Sequence, residues 1–423
     1  MRHKLFSLFL VNALLVWLAF AADPTIAPAE DSQKASLGSL VEEVLQNNPQ
    51  IQAAKQRYEA AKARVTLTRS LADPMVEYEY NKIIPGMIGN NTDPMRMFSA
   101  SQEIPFPTKL FLRKQAAQKE ANSFEQEYRE TERKVIQELK ESYFQLFLNS
   151  KKIALTKDNL ELLNQFVEIA NKKYSVNKAS QQDSLKAQVE YSKLANQLVL
   201  LEQEKKITES MLNSLLNREE DPVIEPLEEK NNKDLELNEA DIIKSAKENR
   251  PELKSFQEML KKSGIDLTLA KQEYLPDFTV KYTRQENNGE LGEWTGMAGI
   301  TVPLWFGGKQ NSFVKEAKAN LRVAEAEYQA AENMVVFETR SAYVKFMAAK
   351  GLVNIYEAGV LPQAQSAFET AQRGYQSDQT TFLDMLDSQR SLREFQMEYF
   401  EALANLEIAL ADLERSIGTE LRQ

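Results

Sequence analysis

Two carboxylates in the run YQSDQTTFLDMLDSQ, Tyr375 to Gln389, stand three residues apart as Asp384 and Asp387. That spacing on a helix puts both on one face. Carboxylates so placed can cap a helix start, or they can crowd negative charge. Crowding raises some of their pKa values, favours cations and repels anions. A weaker copy of the run, YSVNKASQQDSLKAQ, lies 201 positions earlier at Tyr174 to Gln188 and sets Asp183 at the place equivalent to Asp384.

The local pattern around these acids predicts the same element twice. A helical pattern runs into Tyr, breaks over a few polar residues and restarts at a Ser/Thr-x-x-Asp signature, Ser180 to Asp183 and Thr381 to Asp384. Asn177 and Asp378 hold equivalent places in the break, and both residue types tolerate the left-handed backbone that ends a helix. Ser180 and Thr381 can cap the returning helix, with Asp183 and Asp384 near the positive end of its dipole. Capping is the simplest role for either acid alone. The chain therefore holds two helical hairpins.

Composition agrees with long helices. The 423 residues include only 14 Gly and 14 Pro, and 27% are charged, which fits extended helices better than a compact α/β core. The formal charge of −10 comes with no basic stripe, so nucleic acid is excluded as an expected partner. Arg2, His3 and Lys4, the apolar run Leu5 to Phe20 and Ala19-Phe20-Ala21 predict a secretory signal peptide over residues 1–21. Its removal takes away the only His, and the chain has no Cys. Disulfides, a thiolate metal site and a tight zinc site are thereby excluded, and no cofactor or metal is expected. No nucleotide loop or catalytic dyad occurs, so an exported enzyme is a remote reading. No later stretch is apolar enough for a transmembrane helix, which leaves strands as the only way into a membrane.

In chain order, a lead over 22–36 is followed by a helix from Leu37, an Asn47-Asn48-Pro49 break and a second helix from Pro49 to Leu71. Met75 to Tyr80 alternates apolar and acidic residues, the period of a strand. A loop, Ile84 to Pro94, leads to a second strand, Met95 to Ile104, and then a helical tract runs from Lys109 to Tyr174, roughly 100 Å long. After the first tip the chain returns through Asp183 to Asn217. A Pro-containing acidic linker over 219–238 separates this first repeat, 37–218, from a second, 239–417, with a tail at 418–423. The second repeat answers the first: Asn249-Arg250-Pro251 matches Asn47-Asn48-Pro49, and Phe278 to Thr283 alternates like Val76 to Tyr80. A loop is expected over Gln285 to Glu293, a strand from Trp294 to Val302, and a second helical tract from Lys309 to the tip at Ser377 to Thr380 and on to Ile417.

Four strands with period-two patterning cannot close a barrel and would leave raw edges. Outer-membrane barrels use even strand numbers of eight or more, and three copies of this chain supply twelve. A homotrimer is inferred, with another multiple as the alternative. Val76, Tyr78, Tyr80, Phe278, Val280 and Tyr282 would face lipid, and Glu77, Glu79, Thr279 and Lys281 the lumen. Trp294 and Trp305 bracket the last strand as an aromatic girdle would. Threefold symmetry would gather six carboxylates from Asp384 and Asp387 around one axis.

The doubled plan, Leu275-Pro276-Asp277-Phe278, Val302-Pro303-Leu304-Trp305-Phe306-Gly307-Gly308-Lys309 and the Tyr375 to Asp387 tip resemble the TolC family of outer-membrane efflux proteins. Gln102 to Pro107 and the lack of a bulky middle insertion lean towards its heavy-metal-efflux branch. The resemblance covers about residues 37–417. It implies a mainly α channel-tunnel with membrane β: a twelve-stranded barrel in the outer membrane and a periplasmic helical barrel, built by a trimer. It also implies a periplasmic adaptor protein and an inner-membrane pump of the RND type as partners, and passive exit of heavy-metal cations or small toxic compounds. By motif match Asp384 and Asp387 form the gate and selectivity rings, Tyr375 is a linking hydroxyl, and Asp183 is its acceptor. Thr380 stands where many relatives carry Arg, which puts a charged link through that position in question and leaves the Tyr375 to Asp183 bond. The competing reading is a periplasmic coiled-coil adaptor or scaffold of an export complex. Such a protein would carry one hairpin between halves of small β-domains, whereas strand pairs and hairpins both come twice here.

Overall fold

The computed structural model describes residues 33–81, 95–178, 180–218, 224–226, 235–287 and 290–421. The expected signal peptide, the whole loop from Ile84 to Pro94 and most of the linker lie outside them. Helix α1 (Leu37–Asn47) is capped by Ser36, and α2 (Pro49–Arg69) by Asn48. Asn48 is buried and does two jobs: its Oδ1 accepts from Gln50 N and Ile51 N, while its Nδ2 donates to Leu215 O at 2.8 Å. The equivalent residue of the second repeat, Arg250, precedes α6 (Pro251–Gln272) without capping it. It is instead buried against Glu252 and Glu338.

Between the helices run β2 (Met75–Asn81), β3 (Met95–Ile104), β5 (Asp277–Asn287) and β6 (Glu290–Thr301), one antiparallel sheet in the order β2-β3-β5-β6. The pairing sorts side chains as alternation predicts. Val76, Ala100, Tyr282 and Gly296 lie in one row on one face; Glu77, Ser99, Thr283 and Thr295 lie in a row on the other. Across the polar face Glu77 accepts from Lys281 at 2.9 Å and Ser99 at 3.1 Å. The apolar face is left open, with Val76 75% and Ile300 62% exposed. The expected loop at Gln285 to Glu293 is shorter than the sequence suggests, because both strands keep pairing past their apolar stretches, through Glu286↔Leu291, with an irregularity at Arg284/Glu286.

Two further departures are short elements. Strand β1 (Gln33–Ala35) pairs in parallel with β4 (Ile224–Pro226), tying the lead to the linker. Three residues are too few for a periodicity to show. The second long tract is also broken. A π-turn over Phe306–Gln310 precedes α7 (Asn311–Ile355), and another at Tyr356–Val360 separates it from α8 (Leu361–Gln376). Gly359 and Pro362 sit at that break, and proline offers no N–H to the ladder. Tyr356 donates to Glu398 and Tyr399 to Glu357, both at 2.8 Å, so the turn is held from each side.

By contrast α3 (Pro107–Ser175) is one helix of 69 residues that returns through α4 (Gln181–Leu216). Its expected face, Val135, Leu139, Ser142 and Leu146, is buried, packed with α1 residues Leu40 and Val44 and α4 residues Leu212 and Leu216. A second core joins α5 (Glu239–Asn249), α7 and α9 (Phe382–Ile417) through Ile242, Phe346 and Leu406. Where sheet meets helix, buried Lys109 of α3 holds Asp277 of β5 at 3.0 Å and Leu275 O at 3.1 Å. This ion pair fixes the direction in which the strands leave the helices. Replacing Asn48 with Ala removes a cap and orphans a buried carbonyl, so it should cost about 2 kcal/mol, read as a lowered denaturation midpoint of the purified protein.

Candidate functional site

The two hairpin tips lie together. The left-handed residues expected in the breaks are Asn177 (φ 61°) and Asp378 (φ 60°). Ser180 caps α4 by accepting from Gln182 N at 3.1 Å. Thr381 and Asp384 form a full capping box on α9: Asp384 Oδ2 accepts from Thr381 N at 3.0 Å and from Thr381 Oγ1 at 2.7 Å. Those two bonds, the hydroxyl first, hold the Asp384 carboxyl below its ordinary range. Asp384 is thus an ionised cap.

Asp387, on the same face, is paired with Arg390 at 3.2 Å. Tyr375 is buried in the tip core beside Phe382, Met385 and Leu386, with its ring edge-on to Phe382 at 5.5 Å. Its hydroxyl is buried and has no hydrogen-bond partner among the described residues. Burial, then the charges of Asp183 and Asp378, push that hydroxyl's pKa upward. Asp183 is half-buried in the first turn of α4. Within this one chain the Tyr375 hydroxyl and Asp183 are neighbours in charge and not in hydrogen bonding. Thr380 donates to Ala371 O at 3.1 Å and rests against Gly374, where a Cβ would meet it at 2.7 Å.

The charged link between hairpins exists, but through other residues. Lys173 of α3 donates to the backbone carbonyl of Tyr375 and to Asp378 Oδ1 at 2.6 Å, and its ammonium lies 4.2 Å from the centre of the Tyr375 ring. Lys178 adds a second contact to Asp378 at 3.4 Å. More than two turns further from the tip, buried Glu190 of α4 meets Arg390 of α9 at 2.5 Å and Arg393 at 3.9 Å. Burial raises the Glu190 carboxyl, yet the hydrogen bond from Arg390 and the charges of Arg390, Lys193 and Arg393 outweigh it and leave the group below its ordinary value. Beneath them Gln389 donates to Asn159 across the same interface. A signal for this clasp was present in the sequence: Lys178 and Asp378, and Glu190 and Arg390, are each 200 positions apart with opposite charges. In the 201-residue register of the tips each partner stands one position from the other's equivalent, so the two repeats face each other one residue out of register.

Two long hairpins on one plan, joined to an antiparallel sheet whose outer face is apolar and open, define a channel-tunnel of the outer-membrane type. The family model described as "Outer membrane efflux protein" matches residues 40–218 and 242–419, and the chain belongs to that family. It is 22% identical over 404 residues to the outer membrane protein TolC of Vibrio cholerae, covering 91% of each chain. It is 20% identical over 279 residues to the cobalt-zinc-cadmium resistance protein CzcC of Cupriavidus metallidurans, covering 66% of each. The fold is that of solved channels. The chain superposes on CusC with a TM-score of 0.80 at 16% identity, over 90% of this chain and 92% of that one. For VceC of Vibrio cholerae the TM-score is 0.79 at 18% identity, over 91% and 97%. The protein is therefore an outer-membrane efflux channel with a periplasmic helical tunnel.

Replacing Lys173 with Met should free the second tip. Amide exchange over residues 375–379 should rise about threefold or more, the scale of a partly solvated ion pair. The Asp378 carboxyl is depressed by its hydrogen bonds to Lys173 and then Lys178. A depressed carboxyl contributes above its unfolded pKa and stops contributing as pH falls through the folded one. Protection of the tip amides, measured against their intrinsic exchange rates, should therefore stay constant between about pH 7 and pH 5 and fall only below about pH 4.

Proposed function

We propose that three copies of the chain close the sheet into a twelve-stranded barrel and the hairpins into one tunnel, a passive exit duct. The carrying observation is the sheet itself: its two outer strands, β2 and β6, each have an unpaired edge, and its exposed face is apolar. In hydrocarbon unpaired edges are untenable, and association with copies removes them. Apolar residues exposed along the helices, among them Val189, Val199 and Ile207 on α4 and Phe337, Val344 and Ile355 on α7, support the same association. Heavy-metal cations or small toxic compounds are the cargo this reading favours, supported by the name of the relative CzcC. Energy comes from an inner-membrane pump, of the RND type, through a periplasmic adaptor that grips the hairpins. Among the described residues no group of His, Cys, Asp or Glu is arranged to hold a metal ion, which suits a conduit that releases what it carries. The two repeats, 37–218 and 239–417, act as the units that alternate around the ring.

In this reading Asp384 and Asp387 ring the mouth, with Arg390 tempering Asp387, and Asp183 of a neighbouring hairpin takes the buried Tyr375 hydroxyl. Replacing Asp384 and Asp387 together with Asn keeps the cap acceptor and removes the charge. Block of single-channel current by multivalent cations should weaken about tenfold or more; undiminished block would place the ring elsewhere. Deleting the gene should sensitise cells to a subset of a panel of metals and drugs, and that subset identifies the cargo.

A further inference from the structure

Two cations sit on the outward face of the sheet, where a duct has no use for them. The registers place Tyr80, Arg96 and Glu286 in one row of that face, and Tyr78, Phe98, Arg284 and Trp294 in the next. Nearer the helices the same face is apolar, through Val76, Ala100, Val280, Ala298 and Ile300. The helices leave the strands at Asp277 and Ile104, so the opposite ends of the strands point away from the periplasm. At ~3.3 Å per residue, Arg284 and Arg96 lie about 23–26 Å along their tilted strands. With their long side chains extended, both guanidiniums reach the outer edge of a barrel's roughly 25 Å apolar band.

Their surroundings are built for an anion that comes with a lipid. Tyr78 and Phe98 pack at 4.8 Å and Tyr282 and Trp294 stack at 6.3 Å, an aromatic shelf at the same level. Arg96 is 45% exposed, lies 6.0 Å from the Tyr80 ring and holds Glu286 at a long 3.4 Å. Arg284 makes no ion pair among the described residues. A guanidinium at a lipid-facing boundary, with no protein carboxylate of its own, is matched by a phosphate oxygen pair, which it can grip with two parallel N–H donors.

We propose that Arg96 and Arg284 form a binding site for the phosphate of an outer-leaflet lipid headgroup, with Glu286 competing for Arg96. The inference rests on the reading that this face meets lipid. The aromatic shelf holds the upper acyl chains, and the headgroup phosphate bridges the two strands β3 and β5 that belong to different repeats. A bound lipid thus clamps the joint between repeats from outside.

The test is native mass spectrometry of the purified full-length protein in neutral detergent, with added bisphosphorylated lipid A, its dephosphorylated form, or inorganic phosphate. The phosphorylated lipid should be retained about tenfold more strongly than the dephosphorylated form, and inorganic phosphate should not displace it. Arg96→Gln with Arg284→Gln should abolish that preference, Arg284→Lys should keep part of it, and Glu286→Gln should strengthen retention. A purely structural role for Glu286 would weaken it instead. Equal retention of the two lipids by the unaltered protein overturns the site, and so does displacement by inorganic phosphate, which would mark a free-anion site. Heat-resistant oligomers on gels report separately on the barrel: their presence with no lipid preference overturns this site alone, and their absence overturns the barrel reading and the site with it.

Discussion

Backbone amides and carbonyls cannot be left bare in hydrocarbon, and that constraint governs the rest of this structure. A four-stranded sheet satisfies its interior and leaves two edges, so a single chain is an incomplete object. The inverted surface follows from the same requirement. Trp305 is 80% and Leu304 73% exposed, values that would mark an aggregating surface on a water-soluble protein. In the proposed barrel they mark where lipid begins. The polar residues are turned inwards, and Glu77, Ser99 and Lys281 satisfy one another on the lumen side.

Beyond the sheet, the helices carry the structure a long way from the membrane, and their ends must be kept together. The tip does this by two means. Phe166, Phe368, Tyr375, Phe382 and Met385 bury a small apolar core, and charged pairs join the hairpins around it. Duplication explains why those pairs work. Two hairpins copied from one plan and packed side by side bring nearly equivalent positions, one residue out of register, face to face, so like charges there would repel. Divergence to Lys178 against Asp378 and Glu190 against Arg390 turns that juxtaposition into a clasp. The two hairpins also differ in continuity. The outgoing helix of the first is unbroken, whereas that of the second carries the π-turn at Tyr356–Val360, and such turns relax the ladder locally.

Low identity to the relatives is compatible with so close a fold because little of the chain is held by unique contacts. Long helices need an apolar stripe at the right period, caps and a turn, and many residues serve. The places with less choice are the joints. Asn48 caps one helix and ties down another, Lys109 fixes the strand departure, and Gly418 (φ 80°) ends α9 where a Cβ would meet Arg250 Cα at 2.9 Å.

What the sequence determined by itself was whatever depends on neighbours in the chain. Period-two alternation, NxP breaks, Ser/Thr-x-x-Asp caps and the 201-residue repeat are local or self-comparing signals. From them the four strands of the sheet, both hairpins and the left-handed Asn177 and Asp378 could all be read. Only the tertiary structure decided which charges meet. Whether Asp384 caps its own helix, whether Asp387 is tempered by Arg390, and whether Lys173 reaches Asp378 depend on how two hairpins rotate about their long axes. That rotation is set by core packing over tens of residues, through contacts between positions about 200 apart, and no local pattern encodes it. The β1–β4 pair and the π-turn escaped for the opposite reason: three to five residues are too short to carry a period.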